Sequence, residues 1–228
     1  PLSMQLLHWA LGTMAILVFW KWSPFKAWQK ILFTFGYFPF WEYFFISRHY
    51  VLAELLIFVF CSSYSLRRKT YIPSAICIGL LTNTHAFSWS ISFAILVTLL
   101  IEWFASPAQR EMYIRNRNSL IDFFASLFIG LSLSAFSAFS LLQVRDSVDP
   151  ITSLLDLRHL LRVFGRIFGG YLLVIPNYHR WLDLVLCAFI SVIMIGLTIL
   201  FLKKSKAALV FFLSGTTFLF LFNYFIYL

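Results

Sequence analysis

Glu54 is the one charged residue in the run from Val51 to Leu66. An ionisable group inside such a run is costly unless it is paired or faces a water-filled cavity, so it is a candidate for acid–base work. Tyr50 precedes it by four residues and shares a helical face with it. Arg48 and His49 stand immediately before Tyr50, and Pro39 and Glu42 a few residues earlier. The alternative is an ion pair of Arg48 with Glu54 or Glu42 that only fixes helix packing. A second cluster is Thr82-Asn83-Thr84-His85, followed by Ala86-Phe87, which offers an amide, two hydroxyls and an imidazole. Such groups between two short helices suit a sugar or a phosphate, or else they cap the two helix ends. The third cluster is Arg158, Arg162 and Arg166, stepping by four with His159 beside the first. Guanidinium groups grip phosphate oxygens in pairs, so this row could hold a lipid phosphate or merely attract anionic headgroups.

The elements that position these residues follow from composition. Of 228 residues, 61% are apolar and 12% charged, with 28 Phe, 8 Trp and 10 Tyr, and the mean hydropathy is +0.85. Soluble domains carry about twice that charge, so the chain reads as an all-α, polytopic membrane protein in a single unit. With about 20 residues per crossing, it divides into eight segments: 3–20, 31–46, 51–66, a hairpin within 71–104 that turns at Thr82-Asn83-Thr84-His85, 119–142, 181–202 and 207–228. The hairpin reads as two short helices. Between 143 and 180, Asp149-Pro150 opens an amphipathic helix expected to lie in the outer membrane interface. The loops 21–30, 67–70, 105–118 and 203–206 then share one side with twelve of the 18 Lys and Arg, including every Lys. By the positive-inside rule that side is cytoplasmic, and the polar clusters face outward.

The net charge of +9 is accordingly read as cytoplasmic anchoring, which excludes nucleic acid as a partner and leaves membrane lipids. Cys61, Cys77 and Cys187 sit singly in apolar runs, so neither a disulfide framework nor a metal site is expected. Phosphate-cradling glycine loops, Ser/His/Asp or Cys/His nucleophile arrangements and Asp-x-Asp pairs are all missing, and no cofactor is expected.

Ser47-Arg48-His49-Tyr50 before an apolar helix, the basic loop Arg67-Arg68-Lys69, and the turn Thr82-Asn83-Thr84-His85-Ala86-Phe87 resemble the middle of the GT-C membrane glycosyltransferases. The resemblance is to the family 39 type, which includes protein mannosyltransferases and the bacterial aminoarabinose transferase, and it covers about Phe35 to Glu102. It implies sugar transfer from a polyprenyl-phosphate-linked donor to an acceptor at the extracytoplasmic face, in a bacterial inner membrane. It also implies that Arg48, His49, Tyr50, Asn83 and His85 touch substrate, and that Arg158, His159, Arg162 and Arg166 meet the lipid phosphate. The family's catalytic acid lies in the first outer loop, yet no acidic residue precedes Glu42, so the acid is expected upstream of Pro1 in a longer chain. Within this chain Glu42 and Glu54 are the remaining carboxylates for that role. His49 departs from the more usual Pro or Asn. The competing class is a non-enzymatic membrane protein, whether a transporter, a lipid flippase or an envelope-complex subunit, but the prolines at 39, 73 and 176 show no pseudo-symmetric pairing.

Overall fold

The computed structural model describes residues 2–36, 50–85, 87–115, 119–143, 157–164 and 181–225. Among these residues all regular structure is helical. In chain order the helices are α1 (Leu2–Trp22), α2 (Ala27–Thr34), α3 (Tyr50–Ser63), α4 (Ile72–Thr82), α5 (Ser88–Ala105), α6 (Pro107–Ile114), α7 (Ser119–Gln143), α8 (Leu157–Phe164), α9 (Trp181–Leu202) and α10 (Lys206–Phe225). Five stretches are long and apolar enough to cross a membrane: Leu2–Trp22, Tyr50–Arg68, Ser88–Ala105, Ser119–Ser140 and Trp181–Leu202. Ile72–Thr82 and Lys206–Phe222 are apolar but shorter.

Large apolar side chains cover the surface, and hydroxyl side chains share the interior with apolar ones. Phe128, Leu182 and Phe201 are exposed by 73%, 79% and 82%, while Ser74, Thr82, Ser88, Ser92, Thr98, Ser137 and Ser191 are buried. Lipid tails are as apolar as leucine, so membrane helices associate through small residues and local hydrogen bonds instead.

Where the sequence reads as eight crossings, the second expected one, 31–46, differs in its described part. α1 runs on to Trp22, α2 starts at Ala27, and α2 ends at Thr34. The Lys26 amide donates to Gln29 Oε1 at 3.0 Å to start α2, and the Gly36 amide bonds back to Phe33 O at 3.0 Å, tightening its last turn. α2 folds against α1: Trp20 Nε1 donates to Thr34 Oγ1 (2.9 Å), and Lys30 Nζ to Trp20 O (2.6 Å). Lys30, expected in an interfacial connection, thus caps the C-terminal carbonyls of α1. Residues 37–46 lie outside the described ones.

The chain forms two compact units, Pro1–Ser92 with Trp103–Leu142, and Phe93–Glu102 with Gln143–Leu228. In the first unit α3 packs between α1 and α4. The hydroxyls of Ser62 and Ser63 bond back to Val59 O and Phe60 O, and the helix then tightens into a 3-10 turn over Tyr64–Arg68. Pro73 stands in the first turn of α4, where its missing N–H costs nothing. α4 and α7 run parallel: Asp122 near the start of α7 binds Tyr71 just before α4, and Ser137 further along binds Thr82 at its end. Their close approach is at Gly79, where an added Cβ would meet Leu133 Cβ at 2.6 Å.

In the second unit, α8 packs against α9 and α10. Val163 is buried, and Ser191 Oγ, halfway along α9, donates to Phe164 O at 3.3 Å. The C-terminal end of α8 therefore lies beside the middle of α9. A serine inside an apolar span needs an acceptor, and the last carbonyls of a helix need donors. The expected opening of this helix at Asp149-Pro150 lies outside the described residues.

Candidate functional site

One end of the first unit gathers two of the sequence-selected residues from positions 35 apart in the chain. The Tyr50 ring at the start of α3 meets the His85 ring in the α4–α5 turn, edge to face, with centroids 4.8 Å apart. His85 is further engaged with Ser88, the first residue of α5. The Ser88 amide is shared between His85 O (3.0 Å) and His85 Nδ1 (3.2 Å), and Ser88 Oγ lies 2.9 Å from His85 Nε2. Thr84 Oγ1 lies 2.8 Å from Ser88 Oγ and 2.8 Å from Leu81 O.

These distances order the protons. Leu81 O can only accept, so Thr84 donates to it and accepts from Ser88; Ser88 in turn accepts from His85 Nε2–H. Nδ1 faces the Ser88 amide as acceptor. The result is a one-way chain from His85 through two hydroxyls to a backbone carbonyl.

The turn is held to α7 by a second set of bonds. Asn83 Nδ2 donates to Gly79 O (2.7 Å) and Leu133 O (2.9 Å). Trp89 Nε1 donates to Ser137 Oγ at 3.2 Å, and Ser137 Oγ donates to Thr82 O. Ser137 is thus level with the turn, yet α7 continues six residues further to Gln143, about 9 Å at 1.5 Å per residue. α4 has 11 residues, about 16 Å, far short of the ~30 Å hydrocarbon core. The polar turn consequently sits below the end of its long neighbour. α5, with 18 residues, is not the short helix expected for the second arm of the hairpin.

Glu54 stands one turn along α3 from Tyr50, half-buried, with no hydrogen-bond or ion-pair partner among the described residues. Glu42, Arg48 and His49 lie outside the described residues, as does Arg166. Arg158, His159 and Arg162 lie on α8, in the second unit. Among the described residues, no group of three His, Cys, Asp or Glu comes together to hold a metal.

The other end of the first unit holds a centre that the sequence reading passed over. Asp122 is buried; its Oδ1 accepts from Thr70 Oγ1, and its Oδ2 from the Tyr71 amide (2.9 Å) and the Tyr113 hydroxyl (2.8 Å). Tyr71, Trp103 and Tyr113 surround it, with ring centroids 5.0–6.1 Å apart. Burial first, then the hydrogen bond and negative charge of Asp122, with a smaller contribution from Tyr71, hold the Tyr113 phenol above its ordinary value of 10.0. The signal for this centre was a lone acid in the first turn of a long apolar helix.

No protein-family model, curated protein or solved structure matches the chain.

Proposed function

We propose that the chain is a multi-pass membrane glycosyltransferase of the GT-C type, which takes its sugar from a polyprenyl-phosphate donor at the outward membrane face. The observation that supports this reading most is the meeting of Tyr50 and His85 at the end of the unit away from the basic 67–69 loop. Two of the three motifs that carry the family resemblance would then form one recess. In this reading the chain crosses the membrane eight times with both ends outside, counting the short α4 and α10 and the 31–46 segment as crossings.

The reaction is a single displacement. A carboxylate takes the proton of an acceptor hydroxyl, whose oxygen bonds to the anomeric carbon as the bond to the lipid phosphate oxygen breaks and the phosphate leaves with the electron pair. Glu54, one turn below Tyr50, or Glu42 serves as base. Arg48 and His49, with Arg158, Arg162 and Arg166, would offset the charge growing on the phosphate, usually the largest single contribution to such a step. His85 and Asn83 would touch sugar or acceptor, with His85 Nε2–H as the donor that turns from Ser88 to a sugar oxygen.

A second reading, a non-enzymatic membrane protein, is favoured by one observation: the hydroxyls of Thr84 and Ser88 and the amide nitrogen of Asn83 are all satisfied within the turn or by α7. Transfer of labelled sugar from polyprenyl phosphate to membrane acceptors, measured with the full-length protein, separates the two. Under the enzyme reading His85→Ala and Arg48→Lys lose transfer while accumulating normally in membranes, since an ammonium cannot reproduce bidentate phosphate contact. Absence of transfer by the wild type across polyprenyl donors would favour the second reading.

A further inference from the structure

The 3-10 turn after α3 and the short helix α6 enclose a recess of about 620 Å³, lined by Ser65, Leu66, Arg68, Lys69 and Met112. Its size falls in the range of small-ligand sites. Its chemistry is divided: two cationic side chains and a hydroxyl on one part, two apolar side chains on another. Arg67 does not contribute, because its Nη1 donates to Tyr64 O at 2.8 Å and its guanidinium lies over the Tyr64 ring at 3.6 Å.

Both walls are held by the same buried carboxylate. On the α3 side, the Lys69 and Thr70 amides close onto Leu66 O (2.8 and 3.0 Å), and Thr70 is tied to Asp122. On the α6 side, Tyr113, the neighbour of Met112, donates to Asp122 at 2.8 Å. The recess is therefore preorganised, which spares a ligand the ordering cost of two flexible segments. Asp122 itself, saturated by three donors, does not line it. The one acid on α6, Glu111, points to solvent outside the lining.

We infer that this recess binds the phosphate headgroup of an anionic phospholipid, with Arg68 on the phosphate oxygens, the positive charge of Lys69 beside them and Ser65 on an ester or glycerol oxygen. Two arguments choose a lipid over a free phosphate. The recess lies at the end of Tyr50–Arg68, a stretch of membrane-crossing length, so it sits at headgroup level. Its apolar part is outward: Leu66 and Met112 are exposed by 45% and 55%, a surface on which acyl chains can lie and a free anion gains nothing. The site is at the opposite end of α3 from Tyr50 and does not depend on the proposed transferase activity.

The test uses the full chain in a neutral detergent, titrated with phosphatidylglycerol, phosphatidylcholine, glycerol 3-phosphate or inorganic phosphate, with melting temperature and native mass spectrometry as readouts. Phosphatidylglycerol should raise the melting temperature saturably and remain bound in the spectrometer, while the other three should do neither. Arg68→Ala with Lys69→Ala should weaken the phosphatidylglycerol effect at least about tenfold, as loss of charge-assisted contacts predicts, with an unchanged melting temperature in phosphatidylcholine. Should that variant fail to fold, Ser65→Asp puts a negative charge into the recess at an exposed position and should give the same loss. An equal response to phosphatidylcholine, or an undiminished phosphatidylglycerol effect in the variants, overturns the site. An equal response to inorganic phosphate overturns the choice of a lipid.

Discussion

Asp122 shows how one side chain can join three segments. It stands in the first turn of α7, where a negative charge is favoured by the helix dipole, and it accepts the amide of Tyr71, which precedes α4, so one carboxylate serves two helix N-termini. Asp122→Ala would take away the acceptor of Thr70 and of the Tyr71 amide, leave the Tyr113 hydroxyl only Ser119 O (2.9 Å), and should cost about 3 kcal/mol, read as a drop in melting temperature in detergent. The Tyr113 phenol adds an alkaline limit. Its folded pKa is raised, so the unfolded chain surrenders this proton first. The linked stability is complete below about pH 10 and is lost as the pH climbs beyond that toward the folded value. Melting temperatures from about pH 8 to pH 11 should therefore fall more steeply in the wild type than in Tyr113→Phe. The sequence did not disclose this centre because Asp122 meets partners more than fifty positions away in Thr70 and Tyr71.

Between elements, the decisive contact is the parallel pair α4 and α7. Gly79 is where their backbones come closest, and a Cβ there would lie 2.6 Å from Leu133 Cβ and 2.7 Å from its Cδ1. Alanine normally gains about 1 kcal/mol over glycine in a helix interior, but overpacking costs about 1–3 kcal/mol. The obstacle includes the stiff Cβ, so the clash should win. Gly79→Ala is expected to lower the melting temperature, and adding Leu133→Gly, which moves the glycine across the interface, should recover most of the loss. The same substitution should loosen the Asn83 amide from Leu133 O and with it the turn that carries His85. If Gly79→Ala instead raised stability, the close approach of α4 and α7 would be wrong. The hairpin turn at Thr82-Asn83-Thr84-His85 was legible as a cluster of polar residues in an apolar run. The unequal arms were not, because helix length there is decided by where α7 supplies partners.

On the scale of the molecule, the parallel course of α4 and α7 puts the 64–71 segment and α6 at one end of the first unit and the His85 turn at the other. That pairing predicts sidedness. In a background with Cys61, Cys77 and Cys187 replaced, Ser65→Cys and Ser140→Cys, both at exposed positions, should react with an impermeant maleimide from opposite faces of intact cells. By the positive-inside rule, Ser140→Cys is expected to label from outside and Ser65→Cys from the cytoplasmic side. Labelling of both from the same side would contradict the arrangement of the first unit.

Composition alone determined that this chain is helical and apolar enough for a membrane, since 61% apolar residues in long uncharged runs cannot be covered by its 12% charge in water. Local spacing determined the polar turn and the basic loops, because these depend on neighbours within a few residues, whereas α6 (Pro107–Ile114) forms within a stretch read as a loop. The tertiary structure decided the rest. It brought Tyr50 to His85, committed the Asn83 amide to Leu133 O, seated Phe164 beside Ser191, and joined three segments at Asp122. In an apolar segment every helix face looks alike to a reading of periodicity. Which hydroxyl, amide or carboxylate finds which partner is set by the close approach of small residues on different helices, a long-range property.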